Sequence, residues 1–302
     1  MKLTYVQFEI LCRIERHQEK KHSQRALAKE IDVSVGTINK VMAELQDMEL
    51  LKVKENSTYE VTLKGYEWLE PYRVKKAIIM AAGFGSRMVP VTLNTPKPLI
   101  LVKGKRIIET ILEAIVDAGI KDITIIRGYL GEQFDMLLKK YPMIKFIENP
   151  IYNEANNISS AYVARNLFEN AYFFEADLLV YNSEIVRKYE YSSNYLGKEV
   201  DRTDDWCFEV NKGIIEKVKV GGNNVHHMYG ISYWSKEDGK KLSYDIEKVF
   251  AQPGGRERYW DEVALRDCKD NYEVRVRNCY DEDVIEIDTF NELKDVDPIY
   301  RV

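Results

Sequence analysis

The residues best suited to chemistry begin with a glycine pair, Gly83 and Gly85, in the string AAGFGSR at 81–87. The string follows directly on a short apolar run, AIIMA at 77–81, which reads as a buried parallel strand. Glycines placed after a strand let the backbone approach a phosphate closely and aim its N–H groups at it. Two common phosphate loops do not fit. No Lys-Ser/Thr pair follows at the P-loop spacing, and Met88 stands where a dinucleotide fingerprint needs its third glycine. Two carboxylates also stand where they need company. Asp177 closes the apolar run YFFEA at 172–176, and Asp288 ends VIEI at 284–287. A carboxylate at the end of an apolar strand is costly unless it meets a cation or hydrogen-bond donors. The plain alternative for each is a strand-end salt bridge.

These residues need a scaffold, and the hydrophobic pattern predicts one. IIETILEAIVDAGI (107–120) reads as a helix, DITIIRGY (122–129) as a strand and EQFDMLLKKY (132–141) as a helix. KFIENP (145–150) reads as a strand, ISSAYVARNLF (158–168) as a helix and AYFFEADLLVY (171–181) as one long apolar strand. Such alternation implies an α/β fold with a doubly wound, mostly parallel sheet and helices on both faces. In such sheets ligands sit beyond the carboxyl ends of the strands, where the glycine loop lies.

The first 73 residues follow a different pattern. Apolar residues near helical spacing (Tyr5, Phe8, Ile10, Leu11, Ile14) predict one helix, and SQRALAKEI after a Ser23 cap predicts a second. After a turn at Asp32 and Val33, Ser34 caps a third, VGTINKVMAELQDM. LLKVKENSTYEVTL then predicts a hairpin about a Glu55, Asn56, Ser57 tip. This stretch resembles the small winged helix-turn-helix domains of bacterial transcription regulators. Pro71 and the change of pattern place the boundary there, giving domains 1–73 and 74–302 without a Gly/Ser-rich linker. A chain of 302 residues accommodates two domains. The third helix offers Ser34, Thr37, Asn39 and Lys40 to a DNA groove. Residues 1–74 nevertheless carry 12 basic and 12 acidic side chains, whereas phosphate contacts call for a basic face. The local cationic cluster is Arg16, His17, Lys20, Lys21, His22 and Arg25. DNA binding and a dimerising or structural role therefore stay open side by side.

The whole string MAAGFGSRMVPVTLNTPKPLI (80–100) resembles the signature of nucleotidyltransferases that activate sugar phosphates and phosphocholine. In that signature a Lys-Pro pair follows the arginine by ten residues, as Lys97 follows Arg87. The segments GYLGEQFDML, ENPIYNEANNISSAYVA, ADLLVYN and RYWDEVAL extend the likeness to bacterial CTP:phosphocholine cytidylyltransferases over about residues 75–295. The resemblance implies Mg²⁺ held by Asp177 and Asp288. It implies catalytic cations in Arg87, on the departing β- and γ-phosphates, and Lys97, between the α-phosphate and the incoming phosphate. It also implies nucleotide contacts from Ala81, Ala82, Gly83, Gly85 and Ser86, with Asn157 and Ser160 near the cytidine. The alternative for 153–157 is a turn and a helix N-cap. A phosphate monoester is largely dianionic at neutral pH, its second pKa being about 6, so no general base is needed. The four histidines (His17, His22, His226, His227) are expected at the surface.

A cationic acceptor such as phosphocholine would be held by aromatic faces and an acid. The available set is Trp206, Tyr229, Tyr259 and Trp260 with Asp261 or Glu262 adjacent. Arg275 and Arg277 run against that expectation if either faces the pocket, in favour of 2-aminoethylphosphonate or a sugar phosphate. A third reading is a winged-helix regulator whose transferase-like domain senses a ligand. No apolar stretch of about 18 residues is present to span a membrane. Four scattered cysteines (Cys12, Cys207, Cys268, Cys279) suggest reduced thiols in a cytoplasmic protein. The net charge of −5 lies wholly in residues 75–302, with 32 basic against 37 acidic residues. Polyanionic nucleotide must therefore meet locally concentrated cations.

Overall fold

The computed structural model describes residues 2–18, 22–54 and 58–301. The chain divides into two compact units, Met1–Arg73 with Tyr189–Tyr191, and Val74–Lys188 with Ser192–Val302.

The first unit contains α1 (Tyr5–Arg16), α2 (Gln24–Ile31), α3 (Val35–Asp47), a hairpin of β1 (Leu51–Val53) and β2 (Tyr59–Val61), and α4 (Leu63–Leu69). Thr4 and Gln7 cap α1 reciprocally, and Ser34 Oγ accepts from Thr37 N–H to cap α3. Ser23 stands at the α2 N-cap without a side-chain bond, and Asp32 ends that helix in the left-handed region, φ 57°. Phe8, Leu11, Ile14, Ile38 and Leu45 fill the core. Tyr191 stacks on Tyr72 at 5.5 Å, and Arg73 donates to the Tyr189 hydroxyl at 3.1 Å. These late tyrosines complete a core that residues 1–73 alone leave open. The expected hairpin tip at 55–57, and Lys20 and Lys21 of the cationic cluster, lie outside the described residues.

The second unit is built on β3 (Lys76–Ala81). Its strands and helices continue as β4 (Leu101–Val102), β5 (Lys105–Arg106), α5 (Ile107–Asp117), β6 (Asp122–Arg127), β7 (Ile144–Glu148), α6 (Ile158–Ala164), β8 (Ala171–Glu175) and β9 (Leu178–Val180). They end with β10 (Asn194–Asn211), β11 (Ile214–Trp234), α7 (Lys236–Phe250), β12 (Arg275–Asn278), β13 (Val284–Glu286) and α8 (Phe290–Val296). The main sheet has the order β10-β12-β11-β8-β3-β6-β7. From β8 to β7 the four strands are parallel, and β11 joins β8 antiparallel. The strand alternation of β3 explains the layers. Ala77, Ile79 and Ala81 pack in the layer of Ile108, Ile111 and Ile115 from α5. Ile78 and Met80 pack with Ile158 from α6 and Leu242 and Ile246 from α7. Both faces are covered, as a doubly wound sheet requires.

Three local expectations change. The helix expected at 132–141 is a 3-10 stretch, Gly131–Lys139. Arg127 Nη1 donates to the Gly131 carbonyl at its start, at 3.0 Å. The long strand expected at 171–181 breaks after Glu175. β8 stays in the sheet while β9 leaves to pair with β13. The segment from 194 to 234, left unread by the sequence pattern, forms the long antiparallel pair β10 and β11.

Candidate active site

The loop after β3 opens a cleft of about 470 Å³ beyond the carboxyl ends of the parallel strands. Ala81, Ala82, Gly83, Gly85, Ser86 and Arg87 form one wall. Gly85 has φ 63°, and a Cβ there would lie 3.0 Å from both Lys97 Cβ and Thr92 Cγ2. A side chain at 85 would therefore strain the backbone and push on Lys97, so glycine is dictated twice.

The break between β8 and β9 builds the opposite wall. In the β9–β13 ladder Leu178 faces Glu286, and Ile287 N–H donates to the Asp177 carbonyl at 3.1 Å. That register brings Asp177 and Asp288, 111 positions apart in sequence, to a single lysine. Lys97 Nζ donates to Asp177 Oδ2 at 2.9 Å and to Asp288 Oδ1 at 3.0 Å. Arg87 Nη2 reaches the same Asp288 oxygen at 2.8 Å. Lys97 is the interior cation, its side chain 11% exposed, while Arg87 at 66% lies at the rim. Burial by itself lowers the Lys97 pKa; the Asp177 and Asp288 charges more than reverse this, and the net shift is upward. The ammonium stays charged.

Two further acids, missed in the sequence reading, face the cleft. Glu175 and Glu286 each precede an aspartate by two residues, and the period of two along a strand turns both members of a Glu-x-Asp pair to one side. The repeated pattern at 175–177 and 286–288 was the available signal. Carboxylate oxygens of Glu175, Asp177 and Glu286 lie within 4.8 Å of one another. Burial, then the Asp177 charge, pushes both glutamates well above the usual carboxylate range. Asp177 Oδ1 is buried with no hydrogen-bond partner among the described residues. An oxygen-only donor set with a spare carboxylate oxygen suits a hard divalent cation such as Mg²⁺.

Trp206, Tyr259, Asp261 and, unforeseen, Asp205 also line the cleft. A register shift in β10 between Thr203 and Trp206 re-aims this segment, as bulges do. The Trp206 and Tyr259 rings meet edge-on, 5.3 Å apart. Asp261 is buried, which raises its pKa to about 6. Asn157 and Ser160 also line the cleft. Buried Asn149, another residue missed, donates to Ser159 Oγ at 2.9 Å and Ser160 Oγ at 3.1 Å.

Two expected acceptor residues are corrected. Tyr229 lies in the hydrophobic core, because Met228 and Gly230 face the cleft and alternation along β11 turns Tyr229 away. Trp260 is 1% exposed and packs on Phe168, Phe173, Tyr195 and Trp234. Neither lines the cleft, and neither do Arg275 and Arg277. None of the four histidines lines it; His226 and His227 are half-buried in β11 rather than at the surface, and burial lowers their pKa values. Trp260→Ala is expected to cost about 3–5 kcal/mol of stability, as for a fully buried aromatic. Trp206→Ala, at a half-buried position, is expected to cost less than about 1.5 kcal/mol. Urea unfolding of the two variants checks the contrast.

The nucleotidyl transferase family profile matches residues 76–206, and the MarR family profile matches residues 3–58. Over 192 residues the chain is 41% identical to the 2-aminoethylphosphonate cytidylyltransferase of Lancefieldella rimae, covering 62% of this chain and 78% of that protein. The chain belongs to the cytidylyltransferases of the nucleotidyl transferase family. Another cytidylyltransferase, the choline-phosphate enzyme of Streptococcus pneumoniae, is 30% identical over 227 residues, 75% of this chain and 98% of that protein. The solved structure of the CTP:phosphocholine cytidylyltransferase from Streptococcus pneumoniae matches with a TM-score of 0.69 at 32% identity, covering 75% of this chain and 99% of that one. The cytidylyltransferase unit follows an N-terminal winged helix of MarR type. In that helix unit Asn39 and Lys40 are exposed on α3, while Ser34 Oγ lies 2.9 Å from Thr37 Oγ1. No helix among the described residues is long and apolar enough to cross a membrane.

Proposed function

We propose that the chain transfers the cytidylyl group of CTP to a phosphonate or phosphate oxygen of a small acceptor bearing a primary amine, 2-aminoethylphosphonate being the representative. The acceptor oxygen attacks the α-phosphorus, the bond from that phosphorus to the β-phosphate bridging oxygen breaks, and pyrophosphate leaves with the electron pair. Backbone N–H groups of the glycine loop, which lines the cleft, would bind the triphosphate. Lys97 sits where it can offset charge between the α-phosphate and the incoming oxygen, and Arg87 at the rim can follow the departing pyrophosphate. Asp177 and Asp288 would hold Mg²⁺, which when bound supplies further neutralisation of phosphate charge. The rest is alignment, which the rigid strand ends provide.

The observation that carries the acceptor class is the balance of rings and acids around the Trp206 and Tyr259 pair. Of the four rings expected there, Trp206 and Tyr259 reach the cleft, together with Asp205 and Asp261. A quaternary ammonium donates no hydrogen bonds and relies on several aromatic faces. A primary ammonium has three N–H donors and is matched by carboxylates. A sugar phosphate has no cation to offset these acids. The likeness to the aminoethylphosphonate enzyme supports the same reading. The winged helix is proposed as a DNA-binding or pairing module on its MarR likeness alone.

Direct competition among acceptors tests the assignment. With CTP, kcat/KM for 2-aminoethylphosphonate is expected to exceed that for phosphocholine by about tenfold or more, the value of one discriminating contact. Faster turnover of phosphocholine or of a sugar 1-phosphate would overturn it.

A further inference from the structure

Asn156 and Asn157 line the cleft, yet their polar atoms are largely spent inside the protein. Asn156 N–H donates to the Arg256 carbonyl at 2.8 Å, and its Nδ2 donates to the Glu257 carbonyl at 3.2 Å. Asn156 Oδ1 accepts from Asn157 N–H at 2.7 Å. Asn157 Oδ1 accepts from Trp260 N–H at 2.9 Å, and its Nδ2 donates to Glu175 Oε1 at 3.3 Å. These partners fix the amide orientation, since an N–H requires the oxygen and a carboxylate oxygen is met by the nitrogen. One N–H and one Oδ1 lone pair of the Asn157 amide remain, but its plane is already set by Trp260 and Glu175 and is not free to turn to suit a base.

What the two asparagines hold is the segment carrying the acceptor end. Trp260 is anchored in the core, so its backbone is a fixed point. On either side of it, Tyr259 and Asp261 turn into the cleft. The segment is braced internally, with Tyr259 N–H on Glu262 Oε2 and Glu262 N–H on Asp261 Oδ1, each at 3.0 Å. Across the cleft side, Asn157 ties the segment to Glu175, taking Trp260 N–H on Oδ1 and reaching Glu175 with Nδ2, while the Tyr195 hydroxyl reaches Asp261 Oδ2 at 3.5 Å. We propose that Asn157, seconded by Asn156, is a positioning residue for the acceptor end of the cleft and not a contact to the cytidine. This departs from the expectation that placed Asn157 near the cytidine, and it rests on the acceptor site lying at Trp206, Tyr259 and Asp261.

The test separates the two ends of the cleft in Asn157→Ala and Asn156→Ala. CTP affinity is read by titration calorimetry in the presence of Mg²⁺, and KM is read for 2-aminoethylphosphonate. Asn157→Ala is expected to raise acceptor KM about tenfold or more, because two bonds are lost and one of them is to a carboxyl group. Its CTP affinity should stay within about twofold of the parent's. Asn156→Ala loses only the side-chain bonds to Glu257 and to Asn157 N–H, and is expected to raise acceptor KM about threefold with CTP affinity unchanged. It keeps the question decidable should Asn157→Ala fold poorly. Weakened CTP affinity in either variant, or an unchanged acceptor KM in both, would overturn the proposal. If the parent protein turns over no amine-bearing acceptor, the functional reading fails on its own. CTP affinity of the variants then still decides whether Asn157 touches the nucleoside.

Discussion

Lys97→Met is expected to lower kcat at least about 100-fold, the scale of one electrostatic group aimed at developing charge. The lysine is buried, and its ammonium is tolerated there only because Asp177 and Asp288 both accept from it. Methionine fills similar space without charge, so loss of turnover would report the missing cation rather than a collapsed wall. The same substitution carries a second expectation. Two carboxylates that shared an ammonium would face each other without it, and a divalent cation is then the remaining means of neutralising them. Mn²⁺ binding without nucleotide, followed by the electron paramagnetic resonance signal of the free ion, is expected to tighten in Lys97→Met. Unchanged or weaker Mn²⁺ binding would mean that lysine and metal do not compete for these oxygens.

Asp177→Asn is expected to cause a comparable loss of turnover, about 100-fold or more, with the opposite effect on the metal. Asp177 is fixed by the Ile287 N–H bond to its carbonyl and by the β9–β13 ladder beside it, so an amide can occupy the same place. The substitution removes a charge from Lys97 but leaves Asp288 to hold it at 3.0 Å. Folding should persist, while Mn²⁺ binding should weaken about tenfold or more, as when one ligand of a metal site is disturbed. Full turnover, or undiminished Mn²⁺ affinity, would remove Asp177 from the metal site.

What could be read from the sequence was whatever lay in one contiguous string or at the end of one strand. The glycine loop, Arg87 and Lys97 share a single 21-residue string, and Asp177 and Asp288 each close an apolar run, so type and spacing sufficed. Glu175 and Glu286 were equally visible in their Glu-x-Asp pairs, but only the β9–β13 register makes the two pairs face each other. Aromatic residues were harder, because ring chemistry does not say which face a ring occupies. Tyr229 differs from its cleft-facing neighbours Met228 and Gly230 only by alternation along β11. Trp260 sits between two cleft residues but turns into the core. The β10 and β11 pair carries mixed polar and apolar residues, which hid both the strands and the bulge that aims Asp205 and Trp206. Tyr189 and Tyr191 complete the core of the first unit from more than 100 positions away, beyond any local pattern.

The winged-helix unit is a case where fold outran function. Helix caps and apolar spacing made its architecture legible, yet equal numbers of acidic and basic residues withhold the electrostatic footprint of a DNA-binding face. The transferase unit is the reverse, net acidic overall, with Lys97 and Arg87 as the cations that line its cleft among the described residues.

The most direct test is phosphorus NMR of the full-length protein incubated with Mg²⁺, CTP and 2-aminoethylphosphonate. A new phosphonate–phosphate anhydride signal is expected to grow in step with pyrophosphate, with no comparable product when ATP, GTP or UTP replaces CTP. Pyrophosphate without that anhydride, or the anhydride formed equally well from another nucleotide, would contradict the proposed transfer.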